Sequence, residues 1–170
     1  RMGIRNHCLV LSTVVCAAGV VREVSRRLPQ VVAVEHPHGC GRAPPDLTLQ
    51  IKTLAGLVEM FQERQRRGEL PADEDITFVM VSGDGGMDIG MGAALGAATR
   101  NHNLIMLEYD NQGYMNTGHQ LSYSTPLGHM TTTSHVGPAQ AGKAFHHRDT
   151  PQIMAACNIP YVFTGVEAFP

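Results

Sequence analysis

Two short polar segments carry residue types that bind charged ligands. Residues 83–86 read GDGG, and residues 110–113 read DNQG. Glycines let backbone N–H groups approach a phosphate closely, because no Cβ atom stands in the way. A helix that follows such a turn directs its positive end toward the same phosphate. The first segment is therefore predicted to bind a phosphorylated ligand, and a diphosphate suits this turn.

A diphosphate at this place needs a counter-cation. The helix end supplies only about half a charge, and no Lys or Arg lies within residues 83–86. Mg²⁺ prefers hard oxygen ligands. Asp84 offers a carboxylate, Asn111 an amide oxygen and Gly113 a backbone carbonyl. These three residues are predicted to hold Mg²⁺, with further positions left for phosphate oxygens and water.

Alternating strand and helix patterns predict how the two segments meet. The sequence favours strands at residues 8–11, 31–34, 76–81, 104–108 and 161–164. It favours helices at residues 15–28 and 47–67, and a turn at 42–46. A small-residue helix is predicted from residue 87 to near Arg100, and a further helix is predicted to be capped by Thr150, with Pro151 at its first position. The predicted fold class is α/β, a mostly parallel sheet with helices on both faces. Ligands bind such sheets at the carboxyl ends of the strands, where both polar segments fall.

Residues 111–149 show little periodicity, and loops of that length are functional or disordered. Other residues near the two segments receive ordinary structural interpretations. Asp88 is either a residue that contacts the site or, as we expect, an acid that acts on the dipole at the start of its helix. Methionines at 87, 91 and 106 are expected to fill the core. Three loop histidines, His119, His129 and His135, are interpreted as surface or hydrogen-bonding side chains.

The spacing of Gly83-Asp84-Gly85, then 25 residues, then Asn111 closely resembles the diphosphate-binding motif of thiamine diphosphate enzymes. The surrounding sequence resembles the β subunit of 2-oxoacid:ferredoxin oxidoreductases of the pyruvate synthase group over roughly residues 72–165. The resemblance rests on GDGGMDIGMGAALGAATRNHN, YDNQGYMNTGHQLSYSTPLG and the TTT at residues 131–133. A lone GDG would more often be a coincidental turn, but here two matching loops follow two strands.

The resemblance implies a set of site residues and their roles. It implies that Asp84, Asn111 and the Gly113 carbonyl bind Mg²⁺, and that residues 83–86 and 111–116 enclose thiamine diphosphate. The implied catalytic residue is Asn116, which would hydrogen-bond the carbonyl oxygen of the reacting 2-oxoacid. The implied cofactor-binding set is Gly83, Asp84, Gly85, Gly86, Asn111, Gln112, Gly113, Tyr114, Met115 and Asn116.

The same resemblance implies an activity and partners. The family oxidatively decarboxylates pyruvate or a related 2-oxoacid to acyl-CoA and passes the electrons to ferredoxin. The implied partners are other oxidoreductase subunits of the α, γ and δ type, ferredoxin, the 2-oxoacid and coenzyme A. The glutamate that acts on the aminopyrimidine generally comes from another domain or subunit in this family. We therefore expect an oligomer and an isolated chain without activity.

The first third of the sequence departs from that family. There, a C-x-x-C pair and a later Gly-Cys help to ligate a [4Fe–4S] cluster. The corresponding positions here read Thr13-Val-Val-Cys16 and Gly39-Cys40. The resemblance therefore implies Cys16 and Cys40 as iron–sulfur ligands, while Thr13 stands where a further cysteine is expected.

Residues 3–57 resemble a different family, the altronate/galactarate dehydratases, which use a divalent metal to remove water from sugar acids. The resemblance rests on GIRNHCLVLSTVVCAAGVV, VEHPHGCGR and TLAGL. His36, His38 and Cys40 alternate, so an extended strand would place all three on one face, where they could meet a metal. The alternative is a strand end with local hydrogen bonds, because a fourth ligand is not evident.

These two resemblances suggest a division of the chain. The predicted parts are an N-terminal βαβ segment at residues 1–46, a connecting helix and loop at 47–75, and a partial thiamine diphosphate- and Mg²⁺-binding domain at 76–170. A metal-dependent sugar-acid dehydratase is the alternative function, and a remnant without activity that serves assembly is a third.

Composition excludes several classes of protein. The chain has 170 residues with 43% hydrophobic and 16% charged residues, which favours one globular core. Thirteen Lys and Arg against 15 Asp and Glu give no positive field for nucleic acid. No apolar run approaches the roughly 18 residues of a membrane helix, so no membrane partner is expected. The absence of a signal peptide and of a dense cysteine pattern favours the cytoplasm, and the start at Arg1 suggests an excerpt.

Overall fold

The structure is a computed structural model that describes residues 7–12, 15–34, 44–166 and 168. Its strands are β1 (His7–Ser12), β2 (Val31–Val34), β3 (Ile76–Gly83), β4 (Leu104–Tyr109), β5 (Val136–Gly137) and β6 (Gln140–Ala141). Its helices are α1 (Val15–Arg27), α2 (Pro44–Arg66), α3 (Asp84–Thr99) and α4 (Thr150–Ala155), with a 3-10 turn at Met115–Thr117. None of the helices in these ranges is long and apolar enough to span a membrane.

The first four strands form one parallel sheet in the order β2-β1-β3-β4. Parallel neighbours cannot be joined by a tight hairpin, so α1, α2 and α3 each connect one strand to the next. The register pairs Gly83, the last residue of β3, with Tyr109, the last residue of β4. The segments that follow these two strands therefore start side by side at one edge of the sheet.

Helices cover both faces of this sheet, which confirms the predicted fold class. Successive side chains of β3 alternate between the faces. Phe78 and Met80 join a buried cluster with Leu54 of α2, whereas Val81 packs in a second cluster with Val21 of α1. Burial of each large apolar side chain contributes roughly 1.5–3 kcal/mol. The strand that precedes Asp84 is therefore held from both sides.

Two helix starts differ from the sequence prediction. α2 begins at Pro44, inside the segment 42–46 that is predicted as a turn. Proline fits the first turn of a helix because its missing N–H would have no partner there. α4 is capped by Asp149 rather than Thr150, since the Asp149 carboxylate accepts a hydrogen bond from the backbone N–H of Gln152 at 3.0 Å.

The predicted last strand at residues 161–164 is wrong. The segment forms no strand, and Tyr161 and Phe163 are 74% and 75% exposed. A strand needs a paired neighbour for stability, and the described sheet ends at β4. The apolar character of the segment is therefore not enough to specify a strand.

The long connection between β4 and α4 is structured although it lacks periodicity. Tyr114 pairs with Gln120, Thr131 pairs with Ser134, and β5 pairs with β6. Thr132 Oγ1 also lies 3.0 Å from the carbonyl oxygens of two preceding residues, 118 and 119. Local side-chain hydrogen bonds of this kind, rather than hydrophobic period, shape such loops.

Candidate functional site

The candidate site lies at the carboxyl edge of the sheet, where Asp84 and Asp110 directly follow the Gly83–Tyr109 pair. α3 begins at Asp84 itself, so residues 85 and 86 lie in the first helical turn rather than in the predicted glycine turn before it. The first four N–H groups of a helix have no partner inside it. With only hydrogen as the side chain at two of these positions, the groups face the edge as potential donors to an anion.

Three groups with oxygen atoms meet beside the start of α3. One end of the Asn111 amide lies 3.1 Å from Asp84 Oδ1 and 2.7 Å from the carbonyl oxygen of Gly113. An amide nitrogen at this place donates to both oxygens. When the amide turns by 180°, its oxygen takes the same place, and three oxygens then face one another. That donor set fits Mg²⁺, which prefers carboxylate, amide and carbonyl oxygens.

Ser124 connects the two carboxylates of the site. Its hydroxyl lies 3.1 Å from Asp84 Oδ2 and 2.7 Å from Asp110 Oδ1. A hydroxyl has one proton to donate, so it serves one carboxylate at a time and separates the two negative charges. Asp110 Oδ1 also accepts the backbone N–H of Gln112 at 2.8 Å. This contact fixes the start of the second loop.

Asp88 lies one turn after Asp84 on α3 and joins the helix to both loops. Its side chain is 2% exposed. Oδ2 accepts the Tyr114 hydroxyl at 2.9 Å and the backbone N–H of Tyr123 at 3.0 Å, and Oδ1 accepts a hydrogen bond from Arg148. Asp88 is therefore a paired, buried residue of the site, which corrects its interpretation as an acid that only favours the helix dipole.

Arg148 carries this network on to the sheet. Its Nη2 donates to Glu108 Oε1 at 2.8 Å, and its Nε donates to Thr150 Oγ1 at 2.9 Å. The pKa of Glu108 is raised to about 7, chiefly by burial; a hydrogen bond with Thr150 lowers it in part, and the nearby carboxylates of Asp110 and Asp84 also raise it. Glu108 is therefore a carboxyl group that changes its charge near neutral pH.

The second loop is tight at Gly113 and open at its tip. A Cβ atom at Gly113 would lie 2.9 Å from His119 Cδ2 and 3.2 Å from the Gln120 carbonyl oxygen. Gln112 has a φ of 64°, which is uncommon for a residue with a side chain. Asn116, the implied catalytic residue, lies exposed in the 3-10 turn. The loop thus holds its inner residues in place and presents Asn116 to solvent.

The remaining predicted residues of this region fall around the site. Met115 is exposed, and Tyr114 is half-buried through its bond to Asp88. Met87 lies in the buried core, and Met91 and Met106 pack against it, as predicted. The rings of His119 and His129 contact each other edge to face, with centroids 5.9 Å apart. His129 and His135 are exposed, as expected for surface histidines.

Most of the predicted metal residues of the first third lie outside the described residues. These are His36, His38 and Cys40, and Thr13, which stands where a further cysteine is expected, also lies outside them; Cys16 lies in α1, and its side chain is not described. The free thiols of the described part are Cys8 and Cys157, and burial raises the pKa of the Cys8 thiol. Within the described side chains, no group of three or more His, Cys, Asp and Glu could hold a metal ion. The candidate Mg²⁺ site depends instead on an amide and a backbone carbonyl.

Sequence reasoning missed four residues of this region. These are Glu108, Ser124, Lys143 and Arg148. A usable signal existed for Glu108, which is the one acidic residue of the strand sequence LIMLEY. The others contact partners up to 60 residues away along the chain, and no local pattern reports such contacts.

A family model identifies the class of protein to which the part of the chain with the candidate site belongs. The model for the thiamine pyrophosphate enzyme, C-terminal TPP-binding domain, matches residues 65–168. The chain belongs to this family. A second model, D-galactarate dehydratase/altronate hydrolase, second domain, matches residues 1–60.

Comparison with individual relatives shows which members of such families the chain is similar to. The chain is 47% identical over 98 residues to pyruvate synthase subunit PorB of Methanothermobacter thermautotrophicus, covering 57% of this chain and 34% of the relative. It is 38% identical over 114 residues to PorB of Thermotoga maritima, covering 66% and 35%. It is 34% identical over 126 residues to the NADH-dependent phenylglyoxylate dehydrogenase subunit beta of Aromatoleum evansii, covering 74% and 26%. The chain spans about a third of the length of the PorB relatives it matches.

Proposed function

We propose that this chain is the thiamine diphosphate-binding subunit of a 2-oxoacid:ferredoxin oxidoreductase. The observation that carries the proposal is the meeting of the Asp84, Asn111 and Gly113 groups beside the N-terminus of α3. Membership of the TPP-binding family supports the cofactor. The relatives are named for pyruvate and for phenylglyoxylate, and both compounds are 2-oxoacids.

The residues of the site divide the work of cofactor binding. The first-turn N–H groups of α3 would bind the diphosphate, and the oxygens of Asp84, Asn111 and Gly113 would hold Mg²⁺. When bound, thiamine diphosphate supplies the carbanion chemistry of 2-oxoacid decarboxylation. Ser124 keeps the Asp84 carboxylate in its orientation. Asn116, exposed at the tip of the loop, donates a hydrogen bond to the 2-oxoacid carbonyl oxygen.

The complete reaction involves partners that this chain does not supply. We propose that other oxidoreductase subunits of the α, γ and δ type complete the site, that coenzyme A accepts the acyl group and that ferredoxin accepts the electrons. The chain alone is inactive. Cys16 and Cys40 as ligands of a [4Fe–4S] cluster remain a prediction, and broad visible absorbance of the purified chain, without its partners, tests it.

The experiment is an assay of the assembled complex. We expect pyruvate-dependent reduction of ferredoxin that requires coenzyme A, thiamine diphosphate and Mg²⁺. A complex with Asp84→Ala should lose the activity, whereas a complex with Asp73→Ala, which changes an exposed acid away from the site, should keep it. Failure of the wild-type complex to reduce ferredoxin with pyruvate or with another 2-oxoacid would contradict the proposal.

A second candidate function rests on the match of residues 1–60 to the dehydratase model. In that case His36, His38 and Cys40 would hold a divalent metal that removes water from a sugar acid. Metal-dependent dehydration of altronate or galactarate by the full chain tests it, with His38→Ala as the variant that should abolish it. The division into residues 1–46, 47–75 and 76–170 likewise remains a prediction, and limited proteolysis tests it.

A further inference from the structure

Lys143 is a buried lysine that the proposed function does not use. It is 1% exposed, and lysine side chains are almost never fully buried without partners. Its ammonium group donates to three backbone carbonyl oxygens, those of Ser122 at 3.2 Å, Tyr123 at 2.7 Å and Thr125. An ammonium group has three protons, so each proton has one acceptor. The Phe145 ring also lies 4.6 Å from Nζ, at cation–π distance.

The backbone around Lys143 fixes where this ammonium group stands. The Lys143 N–H donates to the His129 carbonyl at 3.1 Å, and its carbonyl accepts the Gly128 N–H at 2.8 Å. Gly142 has a φ of 76°, and a Cβ atom there would lie 2.4 Å from the Gly128 carbonyl oxygen. Only glycine fits at this position. The backbone of Lys143 is therefore bound to residues 128–129, and its side chain extends from there to residues 122–125.

We name residues 122–125 the carbonyl turn. Two of its hydroxyl groups contact the candidate site and the loop that carries it. Ser124 Oγ lies 3.1 Å from Asp84 Oδ2, and Thr125 Oγ1 donates to the Gln112 carbonyl at 2.7 Å. Three residues of this turn thus contact Lys143 through their carbonyls. The Ser124 hydroxyl contacts Asp84, and the Thr125 hydroxyl contacts Gln112, which lies between Asn111 and Gly113. An ammonium group satisfies three converging carbonyls with its three N–H donors, whereas the planar, five-donor guanidinium of arginine has a different shape.

We propose that Lys143 is a positioning residue, an internal cation that shapes the carbonyl turn so that Ser124 orients the Asp84 carboxylate for Mg²⁺ and thiamine diphosphate. This inference rests on the proposed function. It assigns a role in metal binding to a side chain that touches neither the metal ligands nor the cofactor. Groups that orient metal ligands typically change metal affinity by about 10–100-fold when they are removed.

The test measures the dissociation constant of Mn²⁺ in the presence of thiamine diphosphate, by electron paramagnetic resonance of free Mn²⁺ with the full chain. Lys143→Met keeps the length of the side chain and removes the charge and the donors. We expect affinity to fall by about 10-fold or more. Arg66→Met, which removes an exposed cation of α2, should leave affinity unchanged. Circular dichroism confirms that the compared samples are folded.

Chemical rescue separates positioning from a contribution to stability alone. In Lys143→Ala, added propylammonium should restore Mn²⁺ affinity, whereas tetramethylammonium, which has the same charge and no N–H donor, should not. Equal effects of the two ions would overturn the proposal. If Lys143→Met does not fold, Ser124→Ala carries the test, because it removes the hydroxyl between the carbonyl turn and Asp84 and leaves the lysine in place.

The outcomes distinguish this inference from the function on which it rests. Absence of Mn²⁺ and thiamine diphosphate binding in the wild-type chain and also in the assembled wild-type complex contradicts the proposed function itself. Normal binding in the wild type together with unchanged affinity in Lys143→Met, or in Ser124→Ala, overturns the role of Lys143 alone. Loss of affinity in Lys143→Met with rescue by propylammonium supports both.

Discussion

Charged side chains pair in two regions of this molecule, and the two sets differ in burial rather than in geometry. On α1, Glu23 contacts Arg26 and Arg27 at 2.7 and 2.6 Å, and all three side chains are at least 43% exposed. At the carboxyl edge, Arg148 contacts Glu108 at 2.8 Å, and the two side chains are 11% and 17% exposed. Similar distances therefore occur in water-exposed and water-excluded surroundings.

The difference in burial separates ion pairs that lie on the surface from ion pairs that hold the residues of the site in position. Exposed ion pairs contribute about 0–1 kcal/mol each. Buried charges lose their hydration and persist only when hydrogen bonds replace it. Asp88, Arg148 and Lys143 each have such replacements. Asp88 and Arg148 link a helix or strand to a loop, and Lys143 links two loop segments. The buried charges thus concentrate where loops need a fixed position.

The largest expected effect is at Asp84. Asp84→Ala removes the carboxylate of the candidate metal site, so Mg²⁺-dependent binding of thiamine diphosphate should be abolished in calorimetric titrations. Asp84→Asn keeps an oxygen and loses the charge, so it should retain weak binding. Unchanged affinity in Asp84→Ala would refute the assignment of this residue.

The next effect tests the buried set directly. Asp88→Ala leaves Arg148 buried without one of its carboxylate partners, and removal of one partner of a buried pair costs roughly 3–5 kcal/mol. Urea denaturation should report a loss of this size. Tyrosine emission should change as well, because the bond from Tyr114 to Asp88 is lost and the sequence has no Trp to mask it. A decrease in the free energy of unfolding below about 1 kcal/mol would mean that Asp88 contributes no more than an exposed ion pair does.

The pH dependence of stability should depend on Glu108. Its pKa is raised to about 7 in the folded chain, from 4.5. Folding therefore favours the protonated form, and the stability from this group is present below about pH 4.5 and is lost as the pH rises through 7. In Glu108→Gln this dependence of stability on pH should be absent, so the change in the free energy of unfolding should differ from the wild-type change by up to roughly 3–3.5 kcal/mol over this range. Parallel stability curves for both proteins between pH 4.5 and 7 would contradict this.

A smaller effect is expected from the tight position in the second loop. Gly113→Ala places a methyl group against His119 and the Gln120 carbonyl, and overpacking costs typically about 1–3 kcal/mol. Gly92→Ala is the matched control, because nothing lies within 4 Å of its Cβ position and alanine favours a helix by roughly 1 kcal/mol. Thermal melts should move in opposite directions. Stabilisation by both substitutions would show that the loop has room.

The smallest effect is expected on the exposed set. Glu63→Gln breaks the pairs of Glu63 with Arg66 and Arg67 at the C-terminal end of α2. We expect the free energy of unfolding to fall by less than about 1 kcal/mol, and added salt should reduce the difference from the wild type. A loss as large as that of Asp88→Ala would erase the distinction between the two regions.

The sequence predicts the parts of this molecule that depend on local pattern. The four parallel strands are visible as apolar runs, and Asp84, Asn111 and Gly113 are found because each follows a strand end. Parallel strands bring their carboxyl ends to one edge, so proximity follows from topology alone. The orientation of the Asn111 amide does not follow from topology, because it depends on which atoms surround the amide group.

The missed features depend on contacts between distant segments. Ser124 meets Asp84 across 40 residues, and Arg148 meets Asp88 across 60. The failed strand at residues 161–164 has the same cause, since an apolar run becomes a strand only when a neighbour pairs with it. The start of α3 at Asp84 was missed because glycines 85 and 86 favour a turn in isolation, whereas the buried helix tolerates them.

The most direct test of the central claim is a calorimetric titration of the full chain with thiamine diphosphate, once with Mg²⁺ present and once after its removal with EDTA. Coordination through Asp84, Asn111 and Gly113 predicts binding only in the presence of the divalent ion. Equal affinity in EDTA would mean that these oxygens do not hold a metal for the diphosphate, and it would contradict the account.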